Sequence, residues 1–181
     1  TPGRHMNHGR NEFLLNFANK DVVDNIYGQM SRLLDEANIA YIKWDMNRFV
    51  SEGYDVTRGA EHQGEAYHRY ILGVYDLLER LLQRFPDLII EGCASGGGRF
   101  DMGMLYYTPQ IWCSDNTDAI DRLRIQYGTS FGYPASCVGS HVSVCPNEQN
   151  GRITPLSTRG ITAMSGTFGY ELNPEKLTDE D

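Results

Sequence analysis

Two aspartates each close an apolar run of strand character: Asp45 in Ile39-Ala-Tyr-Ile-Lys-Trp-Asp45-Met-Asn-Arg48, and Asp115 in Ile111-Trp-Cys-Ser-Asp115-Asn-Thr-Asp118. Carboxylates delivered by the carboxyl ends of two parallel strands can face each other across one pocket. Opposed carboxylates are what cleavage of a glycosidic bond requires. A nucleophilic carboxylate must stay ionised, and the cation Lys43 with the donors Asn47 and Arg48 close by in sequence would favour the charged form of Asp45 and aim its lone pairs. The plainer alternative is a structural ion pair between Asp45 and Lys43 or Arg48.

Asp115 and Asp118 stand three apart at a strand-to-helix junction, where a helix N-terminus favours negative charge and one of the two acids is expected only to cap. The other, set against Trp112, could be raised enough in pKa to donate a proton. The pattern alone does not choose between them. Glu91-Gly-Cys-Ala-Ser-Gly-Gly-Gly-Arg-Phe-Asp101 is a glycine-rich turn after a strand, without either phosphate-loop signature. Its glycines are expected to let the backbone approach a ligand closely, with Cys93 either beside a substrate hydroxyl or a small buried thiol. The histidines His5, His8, His62, His68 and His141 lack the spacing of a metal site. Tyr106, Tyr107, Tyr127, Phe131 and Tyr133 are read mainly as core, although a ring can also receive the apolar face of a hexose.

The elements that must position these residues follow from periodicity. Val22, Ile26, Met30, Leu33 and Ala37 recur at helical steps from Asp21 to Ala37, with Asn19 or Asp21 as N-cap. Tyr67, Ile71, Val74, Leu78, Leu81 and Phe85 form a second stripe that Pro86 stops. A third helix is expected over roughly Ala119 to Tyr127. Strands are expected at Ile39 to Trp44, Leu88 to Ile90, Gln110 to Cys113, Val138 to Val144 and Gly166 to Tyr170, and the earlier runs, apolar at successive positions, predict cover on both faces. Strand and helix in alternation imply an α/β fold with a parallel sheet. The polar and glycine-rich segments Asp45 to Arg48, Glu91 to Arg99, Ser114 to Asp118 and Cys145 to Gln149 all follow strands, whereas the loops at Asn38 and Pro86-Asp87 are short, the asymmetry of a (β/α)8 TIM barrel.

Composition narrows the chemistry. The 181 residues are 40% hydrophobic and 22% charged, a globular balance with the length of one ordinary domain. The 16 Lys and Arg stand against 24 Asp and Glu, for a net charge of −8 without a basic cluster, which disfavours nucleic acid and suits a neutral or cationic small ligand. Cys93, Cys113, Cys137 and Cys145 fall singly, with no C-x-x-C pair, and read as reduced thiols of a cytoplasmic protein. No run approaches the roughly 20 apolar residues that span a bilayer, and the opening residues do not read as a charged-then-apolar leader, so a soluble protein is expected. A chain that opens on Thr1 within a loop-like stretch and ends on the polar Lys176 to Asp181 is expected to be a fragment of a longer one.

Tyr41-Ile-Lys-Trp-Asp-Met-Asn-Arg48, Glu91-Gly-Cys-Ala-Ser-Gly-Gly-Gly-Arg99 and Trp112-Cys-Ser-Asp-Asn-Thr-Asp-Ala119 together resemble the signature segments of the microbial α-galactosidases of glycoside hydrolase family 36, and the resemblance extends over nearly the whole chain. It implies a retaining α-galactosidase on a (β/α)8 barrel, of which this chain would hold roughly strands four to eight, as one partial catalytic domain. The N-terminal β-sandwich, the first barrel strands and the C-terminal β-sandwich of the family would be absent from it. By the same matching Asp45 is the nucleophile and Asp115 the acid/base, which resolves the choice left open above. Arg10, Lys43, Trp44, Asn47, Cys93 and Gly96 are the substrate contacts, Cys93 and Gly96 around the galactose 2-hydroxyl. Retention implies carboxyl groups only about 5–5.5 Å apart. The resemblance further implies galacto-oligosaccharides such as raffinose, melibiose and stachyose as substrates, no metal or organic cofactor, and a tetramer for the full-length enzyme. The rival expectations are a catalytically silent piece that needs its missing segments, and a raffinose-family α-galactosyl transferase.

Overall fold

The computed structural model describes residues 11–48, 50, 51 and 53–178. The elements are, in chain order, α1 (Lys20–Glu36), β1 (Tyr41–Asp45), α2 (Ala66–Arg84), β2 (Ile89–Cys93), α3 (Met102–Tyr107), β3 (Gln110–Trp112), α4 (Ala119–Ser130), β4 (Val138–Ser143), α5 (Leu156–Ala163) and β5 (Thr167–Glu171). They divide into two compact units, one formed by residues up to Ile42 together with Met46–Ile89, the other by Lys43–Asp45 together with the residues from Ile90 onward.

In the first unit the two long helices form where the stripes predict them. Asn19 caps α1, its side chain accepting from the Asp21 N–H at 2.9 Å, and α2 ends at the residue before Phe85 and Pro86, where proline has no N–H to continue the ladder. The helices pack on each other, and α2 residues Val74, Leu77, Leu78 and Leu81 and α1 residues Val23 and Leu34 are buried. Arg80 donates to Asp24 at 2.7 Å and Arg84 to Asp35 at 2.6 Å across the same seam. Gly73 has a packing role: a Cβ there would lie 1.8 Å from the Phe17 carbonyl oxygen.

The sheet runs β1-β2-β3-β4-β5, spatial order following chain order. β2–β3, β3–β4 and β4–β5 pair in parallel, in registers that set Glu91 opposite Gln110, Trp112 opposite Gly139 and Ser143 opposite Glu171. A parallel sheet with no reversal of order has no switch point at which a doubly wound sheet would bind ligand. It is the order of a barrel wall, whose chemistry collects at the carboxyl ends of the strands.

Several expectations need amendment. β2, β3 and β4 are largely buried, but β1 and β5, at the two ends of the sheet order, have no buried residue, so the prediction of cover on both faces fails for Ile39 to Trp44. β2 continues to Cys93 instead of stopping at Ile90, because Glu91 enters the interior rather than beginning the loop. Two helices, α3 and α5, have no counterpart in the periodicity. α3 has six residues and is started by Asp101, whose side chain accepts from the Met104 N–H at 3.0 Å. α5 is held by tertiary contacts: its buried Arg159 donates to the carbonyls of Thr154 and Ser143. Tyr106, Tyr127 and Phe131 are exposed, not core.

Candidate active site

Asp45 is the last residue of β1, and alternation along the strand puts Lys43 on its face and Trp44 on the opposite one. The Lys43 ammonium stands 3.4 Å from the carboxylate of Glu91, which is only 2% exposed on β2. Two residues further along β2, on the same face as Glu91, the Cys93 thiol is hydrogen-bonded to the Asp45 carboxylate. Burial first, and then that carboxylate, push the Cys93 thiol up to about 11, so at neutral pH it keeps its proton and donates it to Asp45. Asp45, Lys43, Glu91 and Cys93 thus form one cluster across two strands.

Cys93 also makes stability depend on alkaline pH. Its folded pKa lies above the ordinary value of 9.0, so between pH 9 and about 11 the unfolded chain has released a proton that the folded one holds. The contribution is whole below pH 9 and is lost as pH rises toward 11. We expect urea titrations at increasing pH to show a loss on the order of 2 kcal/mol from this group, and Cys93→Ala to have a shallower slope over the same range. Superimposable profiles would dismiss the effect.

The glycine-rich turn after β2 lies close against a second segment of the chain. Gly96 is buried with φ +78°, and a Cβ on it would lie 2.9 Å from the Asp115 backbone nitrogen and 2.9 Å from the Ser114 Cα; one on Gly97 would lie 2.7 Å from the Cys113 carbonyl oxygen. These glycines let the turn close on the loop that carries Asp115, so the close approach is between two segments of the protein.

Asp115 and Asp118 have separate placements. Asp118, 1% exposed, caps α4 by accepting from the Asp121 N–H at 2.9 Å and pairs with Arg152 at 3.0 Å. Asp115 is exposed, and its carboxylate accepts from the Trp112 indole N–H at 3.1 Å. The Trp112 ring is fixed in turn by three neighbours: the Arg122 guanidinium at 4.1 Å, the Lys43 ammonium at 4.7 Å and the His141 ring at 4.6 Å. Lys43 therefore touches both the Glu91 carboxylate and the ring that holds Asp115. The main chain around Asp115 is also clamped. Arg122 donates to the carbonyls of Ser114, Asn116 and Gly139, and Gln149 donates to the Asp115 carbonyl at 2.9 Å while accepting from the Thr117 N–H and hydroxyl.

The structure thus brings Lys43, Asp45, Cys93, Gly96 and Asp115 to the carboxyl edge of one sheet. Trp44 faces away from that cluster, and its indole N–H has no hydrogen-bond partner among the described residues. Asn47 is half-buried in the first unit. Arg10 lies outside the described residues. Sequence reasoning missed Glu171, the last residue of β5, whose carboxylate is 3.5 Å from His141 Nδ1 and is held below the usual carboxylate range chiefly by that contact. The available signal was the one that marked Asp45: an acid closing a strand. A cleft of about 350 Å³ lies beside Asp115 and Glu171, its lining also including Trp112 and Gln149. Among the described residues no three His, Cys, Asp or Glu side chains gather as a metal site, and no helix is long and apolar enough to cross a membrane.

A parallel sheet in sequential order, with acids gathered at the carboxyl ends of its strands, defines an α/β protein of the barrel-wall class. The chain belongs to the Melibiase family, whose model matches residues 1–181. It is 60% identical over 180 residues to the α-galactosidase Mel36A of Lactobacillus acidophilus and 51% identical to the α-galactosidase AgaA of Geobacillus stearothermophilus, covering 99% of this chain and 25% of each relative. The chain therefore spans about a quarter of the length of these curated relatives. Among solved structures it matches the α-galactosidase of Lactobacillus brevis with a TM-score of 0.96 at 51% identity, covering 99% of this chain and 24% of that one. A variant of AgaA in complex with raffinose gives 0.97 at 50% identity, covering 99% and 25%.

Proposed function

We propose that this chain carries the two catalytic carboxylates of a retaining α-galactosidase, Asp45 as nucleophile and Asp115 as general acid/base. The observation that carries the reading is the linkage of the two acids at one sheet edge: Cys93 bonds Asp45, and Lys43 reaches from the Asp45 strand to the Trp112 ring whose N–H holds Asp115. Asp45 attacks the anomeric carbon as Asp115 protonates the departing oxygen. Asp115 then takes a proton from the water that opens the covalent galactosyl intermediate. The Cys93 thiol donates to the Asp45 carboxylate and, with Gly96, borders the galactose 2-hydroxyl.

The relatives support the reading. Variants of AgaA have been solved with raffinose and with stachyose, and each carries a substituted aspartate; the two positions are separated along that chain as Asp45 and Asp115 are here. Raffinose-type galactosides are accordingly the substrate class. We read the sheet as strands four to eight of a single (β/α)8 barrel within a tetrameric enzyme flanked by β-sandwich domains. The four free thiols suit the reducing cytoplasm.

Proton NMR of raffinose turnover by the full-length enzyme tests the mechanism. The α-anomer of galactose is expected first, with the β-anomer growing in only by mutarotation. First appearance of β-galactose would overturn double displacement, and absence of galactose would overturn the activity.

A further inference from the structure

A carboxylate is out of place at position 91. Glu91 stands on β2 between Ile90 and Gly92, 2% exposed, in a wall strand whose interior positions ordinarily take aliphatic side chains. A buried ion pair seldom adds stability beyond what apolar side chains of the same volume would give, so the Glu91 to Lys43 contact of 3.4 Å is poorly explained as a device for stability. What it does is hold Lys43. That side chain is 36% exposed on a flexible four-carbon stem, and without an anchor it would swing into water or onto Asp45, two residues along on the same face of β1. Held by Glu91, the ammonium stands over the Trp112 ring at 4.7 Å, and the indole N–H of that ring donates to Asp115 at 3.1 Å. The other two neighbours of the ring have anchors of their own: Arg122 donates to three carbonyls, and His141 is paired with Glu171. Glu91 anchors the third, which comes from the strand of Asp45.

We propose that Glu91 is a positioning residue of the reaction: it sets the Lys43 ammonium against Trp112 and so fixes the direction in which Asp115 delivers its proton. The inference rests on the reading of Asp115 as acid/base. Among the described residues Glu91 is not part of the lining of the cleft beside Asp115, so its influence on the acid runs through Lys43 and the ring. A group misplaced by about 1 Å can cost about 10²-fold in rate. The loss falls on kcat rather than on KM, because the proton is delivered only in the transition state.

The test uses the full-length enzyme with Glu91→Met, which fills a similar volume without a charge, and Glu91→Gln as a milder second variant. The melt of Glu91→Met is expected at or above that of the wild type, because an apolar side chain suits the strand and the Lys43 ammonium can turn to water. Its kcat for raffinose should fall about 10²-fold with KM changed less than about threefold, and Glu91→Gln, which keeps an acceptor for Lys43, should lose about tenfold. Turnover of p-nitrophenyl α-galactoside, whose leaving group needs no proton, should fall less than about fivefold in either variant. On a Lys43→Met background, Glu91→Met should change kcat for raffinose by less than about twofold, as two residues acting along one route do. A raffinose kcat within about twofold of wild type in both variants, equal losses on the two substrates, or a loss that multiplies with that of Lys43→Met would overturn the role of Glu91. A wild-type enzyme that releases no galactose from either substrate would instead overturn the assignment of function.

Discussion

Asp45→Asn in the full-length enzyme abolishes turnover of every α-galactoside, by at least about 10⁴-fold in kcat, and leaves the thermal melt in place. The size of the effect follows from the role. An amide occupies the volume of the carboxylate, so packing at the end of β1 is undisturbed, but it has no anionic oxygen to form the glycosyl bond. Good and poor leaving groups therefore lose alike, because neither can bypass the attack. Cys93 supplies a second readout: without the Asp45 carboxylate, one of the causes that hold its proton is gone, and its thiol should alkylate at lower pH than in the wild type. A variant that melts normally and still hydrolyses p-nitrophenyl α-galactoside would remove Asp45 from the mechanism. A melt lowered by several degrees would instead favour the structural ion pair weighed at the outset.

The sequence spelled out those features of this protein that depend on neighbours a few residues away. The stripes of α1 and α2 repeat over 17 and 19 residues, long enough for the 3.6 period to stand clear of noise. α3, with six residues, completes fewer than two turns, and α5 includes Ser157, Thr158, Gly160 and Thr162, which favour other conformations; its helix depends on Arg159 reaching the carbonyl of Ser143 on β4. Such partners lie beyond any local window. The same division runs through the site. Asp45 and Asp115 were legible because each closes an apolar strand, and the motif resemblance reaches both. The clamp of Arg122 and Gln149 on the Asp115 loop, the His141–Glu171 pair and the packing of Gly96 against Asp115 join residues from different elements and loops, and no spacing announces them. The glycine-rich turn shows the cost of this blindness: its composition signalled a close approach without saying to what.

Asp115→Ala separates substrates by their need for a proton. An alkoxide leaving from raffinose is strongly basic and must be protonated in the transition state, so loss of the acid should lower kcat/KM for raffinose by about 10³–10⁴-fold. p-Nitrophenolate leaves unaided, and its release should fall only by about tenfold, the hydrolysis of the intermediate having lost its base. Asp118 is the natural control, because it lies three residues away and is spent on structure. Asp118→Ala removes the cap of α4 and the partner of Arg152, so it should lower stability by about 1–2 kcal/mol while shifting the two substrates by the same factor. The contrast depends on Trp112. Its N–H bonds the Asp115 side chain rather than that of Asp118, and a ring packed against Arg122, Lys43 and His141 cannot turn to follow a carboxylate three residues further along the chain. If Asp115→Ala depresses both substrates equally and Asp118→Ala shows the leaving-group dependence, the acid has been assigned to the wrong end of the Ser114 to Asp118 loop.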